Sequence, residues 1–321
     1  MDTKVLETMW SKLNLDQTNE FVFLRISSEC IPELNIGIDS SRKRSLLLEL
    51  PEINSIQFNS VIKENLSIEL FKDTNYIVLK LLDSTYDDIF NEFIISIYNL
   101  IKKIQDINES VSKLLTQFHK WSNFFDDRKN DKLDLNAIKG LFGELVVLKY
   151  LIETSSGHNI DDVLNSWKGP FNLTHDFILD NTNLEVKTKE ESKLDIRISS
   201  EFQLQPEPEK QLELMIVSIF TNDYNGISIK QMVWIIKDLI KERLGDVSIL
   251  FTGLKAMGLY LTNIPEYDNY RFRPTKISSY DCNAIGFPRI IKTTLQIGIS
   301  DISYNLRVPM ISQFKILEII L

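Results

Sequence analysis

Between residues 20 and 82 the chain runs in short apolar stretches divided by polar turns. The stretches are Phe21-Val22-Phe23-Leu24, Ser45-Leu46-Leu47-Leu48-Glu49-Leu50, Ser67-Ile68-Glu69-Leu70 and Tyr76-Ile77-Val78-Leu79-Lys80-Leu81. This pattern predicts β-strands, and with them a small β-rich domain over residues 1–105. The rhythm then turns helical, over residues 90–104 and 111–125, so that residues 106–135 read as a helical connector. Its charge-mixed run Asp126-Asp127-Arg128-Lys129-Asn130-Asp131-Lys132 predicts a linker. Beyond it, Ile138, Leu141, Leu145, Leu148, Leu151 and Ile152 recur at helical spacing, which sets Glu144 beside an apolar stripe.

A second β pattern follows. Phe177-Ile178-Leu179 and the pair Leu184, Val186 flank the polar turn Asp180-Asn181-Thr182-Asn183, as in a short hairpin. Residues 212–220 predict an apolar strand beside that hairpin, and residues 229–244 an amphipathic helix. Leu259-Tyr260-Leu261, residues 276–281 and residues 302–308 read as strands or irregular sheet. The expected organisation is a mixed α/β chain with a core over residues 136–264 and an extension over residues 265–321 packed on it. No internal repeat or low-complexity segment interrupts the pattern.

Composition narrows the partners. With 321 residues, 43% hydrophobic and 25% charged, the chain can bury an ordinary globular core. A net charge of -9 and a pI near 5.1 argue against coating DNA by bulk electrostatics. Any nucleic acid must be met by a local patch, a metal or a basic partner. Cys30 and Cys282 stand alone, and His119, His158 and His175 share no ligand spacing, so neither a structural zinc site nor a zinc hydrolase is expected. The absence of a leader pattern at Met1-Asp2-Thr3-Lys4 and of a membrane-length apolar run predicts a cytoplasmic protein with no membrane partner.

The densest chemistry lies between Gly140 and Gln205. Residues i and i+2 of a strand share a face, so Glu185 and Lys187 of Leu184-Glu185-Val186-Lys187 project together. The hairpin turns Asp176 back toward Glu185, and Glu144 reaches the sheet from its helix. Asp176 and Glu185 can hold Mg2+ or Mn2+, with Glu144 serving a water or a second ion and Lys187 stabilising charge on a phosphate. Taken singly these residues also have bland readings: a surface Glu-Val-Lys strand, a solvated helix-edge Glu144, and a His175 that closes a strand end.

Taken together the ordered set resembles the PD-(D/E)XK nuclease superfamily, and more narrowly a bacterial family of PD-(D/E)XK-motif proteins encoded with restriction and phage-defence genes. The resemblance extends to Trp167-Lys168-Gly169-Pro170, to residues 198–204, to Gly286-Phe287-Pro288-Arg289-Ile290 and to residues 298–304. It implies a restriction-endonuclease-like core, a central mixed sheet flanked by helices. Asp176 and Glu185 would be metal ligands, Lys187 the catalytic lysine, Glu144 the helix acid, and Gln203 an accessory polar residue on a following helix. His175 stands where the family name has proline, and so becomes a further candidate ligand or phosphate contact.

The activity implied is Mg2+-dependent DNA cleavage in restriction or anti-phage defence. The alternatives are a catalytically silent subunit that binds DNA or partner proteins, and a ribonuclease. Expected partners are DNA, a defence-system ATPase or methyltransferase, and a second copy of the chain. For the DNA itself, Arg271, Arg273, Lys276 and Arg289 interleave with Tyr267, Tyr270, Phe272 and Tyr280, a composition suited to phosphate contacts and base stacking. The same composition suits a half-buried strand whose arginines pair with carboxylates.

Overall fold

Asp2 accepts a hydrogen bond from Val5 N at 2.9 Å, and this cap starts the first helix, α1 (Thr3–Lys12). The computed structural model describes residues 1–14, 21–51, 56, 58–125, 133–155, 160–171, 173–260, 263–292, 295–296 and 298–321. They form two compact units, residues 1–129 and 130–321.

In the first unit, β1 (Phe21–Arg25), β2 (Leu34–Asp39), β3 (Arg44–Glu49), β4 (Val61–Ile62), β5 (Leu66–Phe71) and β6 (Tyr76–Leu81) make an antiparallel sheet of order β1-β2-β3-β6-β5-β4. The sheet buries Leu34, Ile36, Ile38, Leu46, Leu48, Ile77 and Leu79, by period-two alternation in β6 and by burial of both faces in β2 and β3. The helices α2 (Asp87–Ile101) and α3 (Ile107–Ser122) meet through Phe93 and Trp121, whose rings stack at 5.6 Å. This contact makes α3 part of the first unit rather than a connector. The expected linker, residues 126–132, lies outside the described residues. Neither α1 nor β2 was expected. In β2 the residues Leu34 to Ile38 are all buried, which erases the polar alternation that marks a half-exposed strand.

The second unit continues with α4 (Leu135–Thr154), α5 (Ile160–Ser166), β7 (Phe177–Ile178), β8 (Thr182–Glu190), β9 (Asp195–Ile198), β10 (Gln211–Thr221), β11 (Ile227–Ser228), α6 (Ile229–Glu242), α7 (Val247–Ala256), β12 (Arg271–Asp281), β13 (Tyr304–Arg307) and β14 (Lys315–Ile320). Its sheet runs β11-β12-β10-β8-β7, with β14 also on β12. The β8–β10 pair is parallel and the other pairs are antiparallel, so the sheet is mixed. A separate two-stranded ribbon joins β9 to β13.

Two expectations change here. Residues 265–321 are no appended extension, because β12 lies between β10 and β14 and supplies Phe272, Ile277 and Tyr280 to the core. Leu259 and Tyr260 are not in a strand, and Leu261 lies outside the described residues. Among the described residues no helix is long and apolar enough to cross a membrane.

Candidate active site

The helix α4 sits close to the motif strand because Gly143 faces Thr188 of β8. A Cβ at residue 143 would collide with Thr188 Oγ1. Phe142, next in sequence, packs on Phe272 with ring centroids 4.9 Å apart. These contacts deliver Glu144, on the same turn of the helix, to the sheet. Its Oε2 accepts a 2.7 Å hydrogen bond from the indole of Trp167. That indole is itself backed by α7, where a Cβ on Gly253 would stand 2.6 Å from the ring.

The segment after Trp167 grips Asp176. Lys168 N and Gly169 N both donate to the Asp176 carbonyl, at 2.7 and 3.0 Å, and Trp167 bridges Phe177. Gly169 carries no side chain because there is no room for one. A Cβ there would collide with Glu144 Oε2 and sit 3.1 Å from Asp176 Oδ1, so both carboxylates crowd the same glycine.

Strand β7 pairs with β8 only through Phe177–Leu184 and Ile178–Asn183. One step further the Asp176 side chain replaces the strand partner, its Oδ2 accepting from Val186 N at 2.7 Å. Val186 lies between Glu185 and Lys187, and these two project together as expected, with Lys187 Nζ 2.7 Å from Glu185 Oε1. Glu185 is 1% exposed. His175 is as deeply buried: Nδ1 lies 3.8 Å from Glu185 Oε2 and Nε2 lies 3.8 Å from Glu207 Oε1, neither nitrogen having a hydrogen-bond partner among the described residues.

Burial and neighbouring charge disturb two of these acids, Glu144 and Asp176. Burial and the Asp176 charge push Glu144 up to about 8 against the Trp167 hydrogen bond. Burial and the Glu185 charge push Asp176 up to about 7, opposed by Lys187, the Val186 N–H and His175. A cation among them would reverse both shifts.

Glu144, Asp176 and Lys187 line one cleft of about 720 Å³. Its other cations are Lys139, Lys189, Lys193 and Arg197, none of which the sequence reading selected. Lys189 was within reach of it, since it shares the Lys187 face at the next i+2 position. Trp167 and Gly169 were noted only as part of a resemblance, and the structure gives them positions holding the two acids.

The expected nucleic-acid patch lies elsewhere, and none of its four residues lines this cleft. Arg273 pairs with Asp223 at 2.7 Å and covers the Phe220 ring, Arg271 donates to Gly226 O, Lys276 lies 4.0 Å from Glu318, and Arg289 donates to Cys282 O. Carboxylates, carbonyls and a ring of the same unit already occupy these cations. Gln203 also differs from expectation, lying in a turn rather than on a helix and accepting from Ser199 N at 2.8 Å.

Among the described residues no group of three or more His, Cys, Asp or Glu is arranged as a metal site. A hard divalent cation, however, is usually held by only one or two carboxylates, with water and phosphate completing its shell. Trp167 engages one oxygen of Glu144, Val186 N one of Asp176, and Lys187 one of Glu185. Glu144 and Asp176, which line the cleft, each keep a second oxygen, so these two fit such an ion, while Glu185 lies buried behind them with its second oxygen 3.8 Å from His175 Nδ1. A family model described as "Putative PD-(D/E)XK family member, (DUF4420)" matches residues 6–309. No curated protein and no solved structure matches the chain.

Proposed function

The chain belongs to this PD-(D/E)XK family, and on that premise we propose that it is a divalent-cation-dependent endonuclease that hydrolyses DNA phosphodiesters in a bacterial restriction or anti-phage system. The observation that carries the reading is the meeting of Glu144, Asp176 and Lys187 in one cleft, with Glu185 held against Lys187.

Asp176 and Glu144, with Glu185 behind them, are the residues to hold Mg2+ or Mn2+, which when bound supplies positive charge beside the phosphate and makes water more acidic. Lys187 does the work nearest the substrate. Its ammonium has three donors, of which the Glu185 bond uses one, leaving the others to orient the attacking water and to meet negative charge on the phosphate oxygens. Because Glu185 already fixes the lysine, little reorganisation is needed as that charge develops. Trp167 and the Lys168 and Gly169 amides set the angles of Glu144 and Asp176.

A silent DNA-binding or partner-binding subunit is the second reading, favoured by a specific observation. Lys139 and Lys187 are paired with Glu190 and Glu185, and the chain carries a net charge of -9. With these two cations neutralised and the chain acidic overall, its own hold on a polyanion is weak, and we propose that a basic partner strengthens it in the working complex.

The deciding experiment is incubation of purified chain with supercoiled plasmid and Mg2+, beside chelator and beside Lys187→Ala. Nicking or cutting that both controls abolish supports the enzyme. A chain that stays inert when its partners are added supports the silent subunit, and preferential cutting of an RNA of the same sequence would replace DNA with RNA as substrate.

A further inference from the structure

The ribbon formed by β9 and β13 has two unlike faces. Its register sets Asn305 opposite Arg197 and Arg307 opposite Asp195, while the alternate residues Ile196, Ile198 and Leu306 are buried in the core cluster with Leu214 and Ile216. Period-two alternation therefore holds Arg197 and Asn305 side by side on the exposed face of a well-backed platform. Both line the cleft that contains Glu144, Asp176 and Lys187.

The state of the neighbouring charges shows what this pair is free to do. Lys139 is paired with Glu190, Lys187 with Glu185, and Lys189 donates to the carbonyls of Glu190, Glu191 and Lys193. Arg197 differs from them. Its Nη2 bonds a neutral hydroxyl, Ser303 Oγ, at 3.1 Å, and it forms no ion pair among the described residues. A guanidinium has five N–H donors in a planar fork that matches phosphate, so most of its capacity remains. The Asn305 amide beside it offers both donors and an acceptor, the combination that contacts sugar and base edges.

We propose that Arg197 and Asn305 form a substrate-positioning site that holds the nucleotide next to the scissile one, Arg197 on its phosphate and Asn305 on its sugar or base edge. The site rests on the nuclease reading for its orientation toward Lys187, but it makes a prediction about DNA binding that cleavage does not enter. Neither residue touches the reacting atoms. Their effect is on how firmly and in what register the strand lies.

The test is fluorescence anisotropy of a short fluorescein-labelled DNA duplex, titrated with full-length chain in chelator across a series of ionic strengths. Arg197→Ala should weaken binding roughly tenfold and make the salt dependence shallower by about one unit of slope, the signature of one lost phosphate contact. Arg197→Lys should recover most of the salt slope, and Asn305→Ala should weaken binding less while leaving that slope alone. Lys315→Ala, which removes one positive charge at Glu318 outside the cleft, should change little.

Circular dichroism of each variant separates a lost contact from a lost fold, and Arg197→Gln, which removes the charge but keeps a long polar side chain, carries the test with the same expected loss should Arg197→Ala not fold. Wild-type affinity in Arg197→Ala, equal losses in Arg197→Ala and Lys315→Ala, or no duplex binding by the wild type even at low ionic strength would each overturn the site. A wild type that binds through Arg197 yet never cuts would sink the nuclease reading and leave this site standing.

Discussion

The indole nitrogen of Trp167 stands 2.7 Å from Glu144 Oε2, tying the helix that carries one acid to the segment whose next two amides hold the backbone of the other, Asp176. Trp167→Phe keeps an aromatic side chain but removes the donor and, with the smaller ring, part of the packing against Gly253. Loss of a hydrogen bond to a buried acid should cost about 1–3 kcal/mol. Plasmid nicking should slow by roughly tenfold or more as Glu144 loses its fixed angle. Urea midpoints and nicking rates equal to wild type would show that the bond does neither.

Lys187 is as much a structural partner as a chemical one. Glu185 is 1% exposed and takes its ion pair from Lys187, so Lys187→Met strands a buried carboxylate and should destabilise the fold by about 3–5 kcal/mol. Adding Glu185→Gln should recover much of that loss. A double-mutant cycle by chemical denaturation reads the coupling, and additive single effects would mean that the pair is not coupled.

Stability of the metal-free protein should fall toward alkaline pH. Asp176 and Glu144 are raised to about 7 and about 8 from ordinary values of 3.8 and 4.5, so the folded state binds their protons more tightly than the unfolded one. Their contribution is therefore fully present below the ordinary values and is lost as pH rises through about 7 and then about 8. Glu190, held low by its hydrogen bond to Lys139, works in the opposite sense at acid pH, so the comparison belongs between mildly acid and alkaline solution. Melting temperatures in chelator should drop across that window in wild type and less in Asp176→Asn, and Mg2+ should restore them at the alkaline end. A flat profile would contradict the crowding of the acids.

Gly169→Ala inserts one methyl group where Glu144 Oε2 already lies and Asp176 Oδ1 is 3.1 Å away. Overpacking of this kind should cost about 1–3 kcal/mol. Cleavage should suffer more than stability, because the atoms displaced are the carboxylate oxygens themselves. Gly140→Ala, with open space around its Cβ on the same helix as Glu144, is the matched control for overpacking and should fold as stably as wild type.

Much of this site could be read from the chain, because it is written in local periodicity. Glu185 and Lys187 share a face by the geometry of any strand, and the short β7–β8 hairpin follows from its polar turn. What escaped depends on partners remote in sequence. Arg273 among aromatics has the composition of a DNA contact, yet Asp223 and Phe220, some fifty residues earlier, claim its guanidinium. Conversely nothing in the local pattern marks Lys139 or Arg197, which α4 and β9 bring to one cleft. Of the missed elements, β9 is four residues long, too short for a periodic signal, and β14 is defined by its pairing with β12.

The placement of β12 sets an order on how the second unit is made. Strand β8 lies inside the sheet on β10, but the far edge of β10 stays open until residues 271–281 have left the ribosome and paired with it. Until then Leu214, Ile216 and Ile219 lie on a strand with an unpaired row of amides and carbonyls, the condition under which nascent or truncated chains stick to one another. The acids and the lysine are thus synthesised long before the sheet that must hold them is closed, and fragments ending before β12 should accumulate as aggregates rather than as smaller folded proteins.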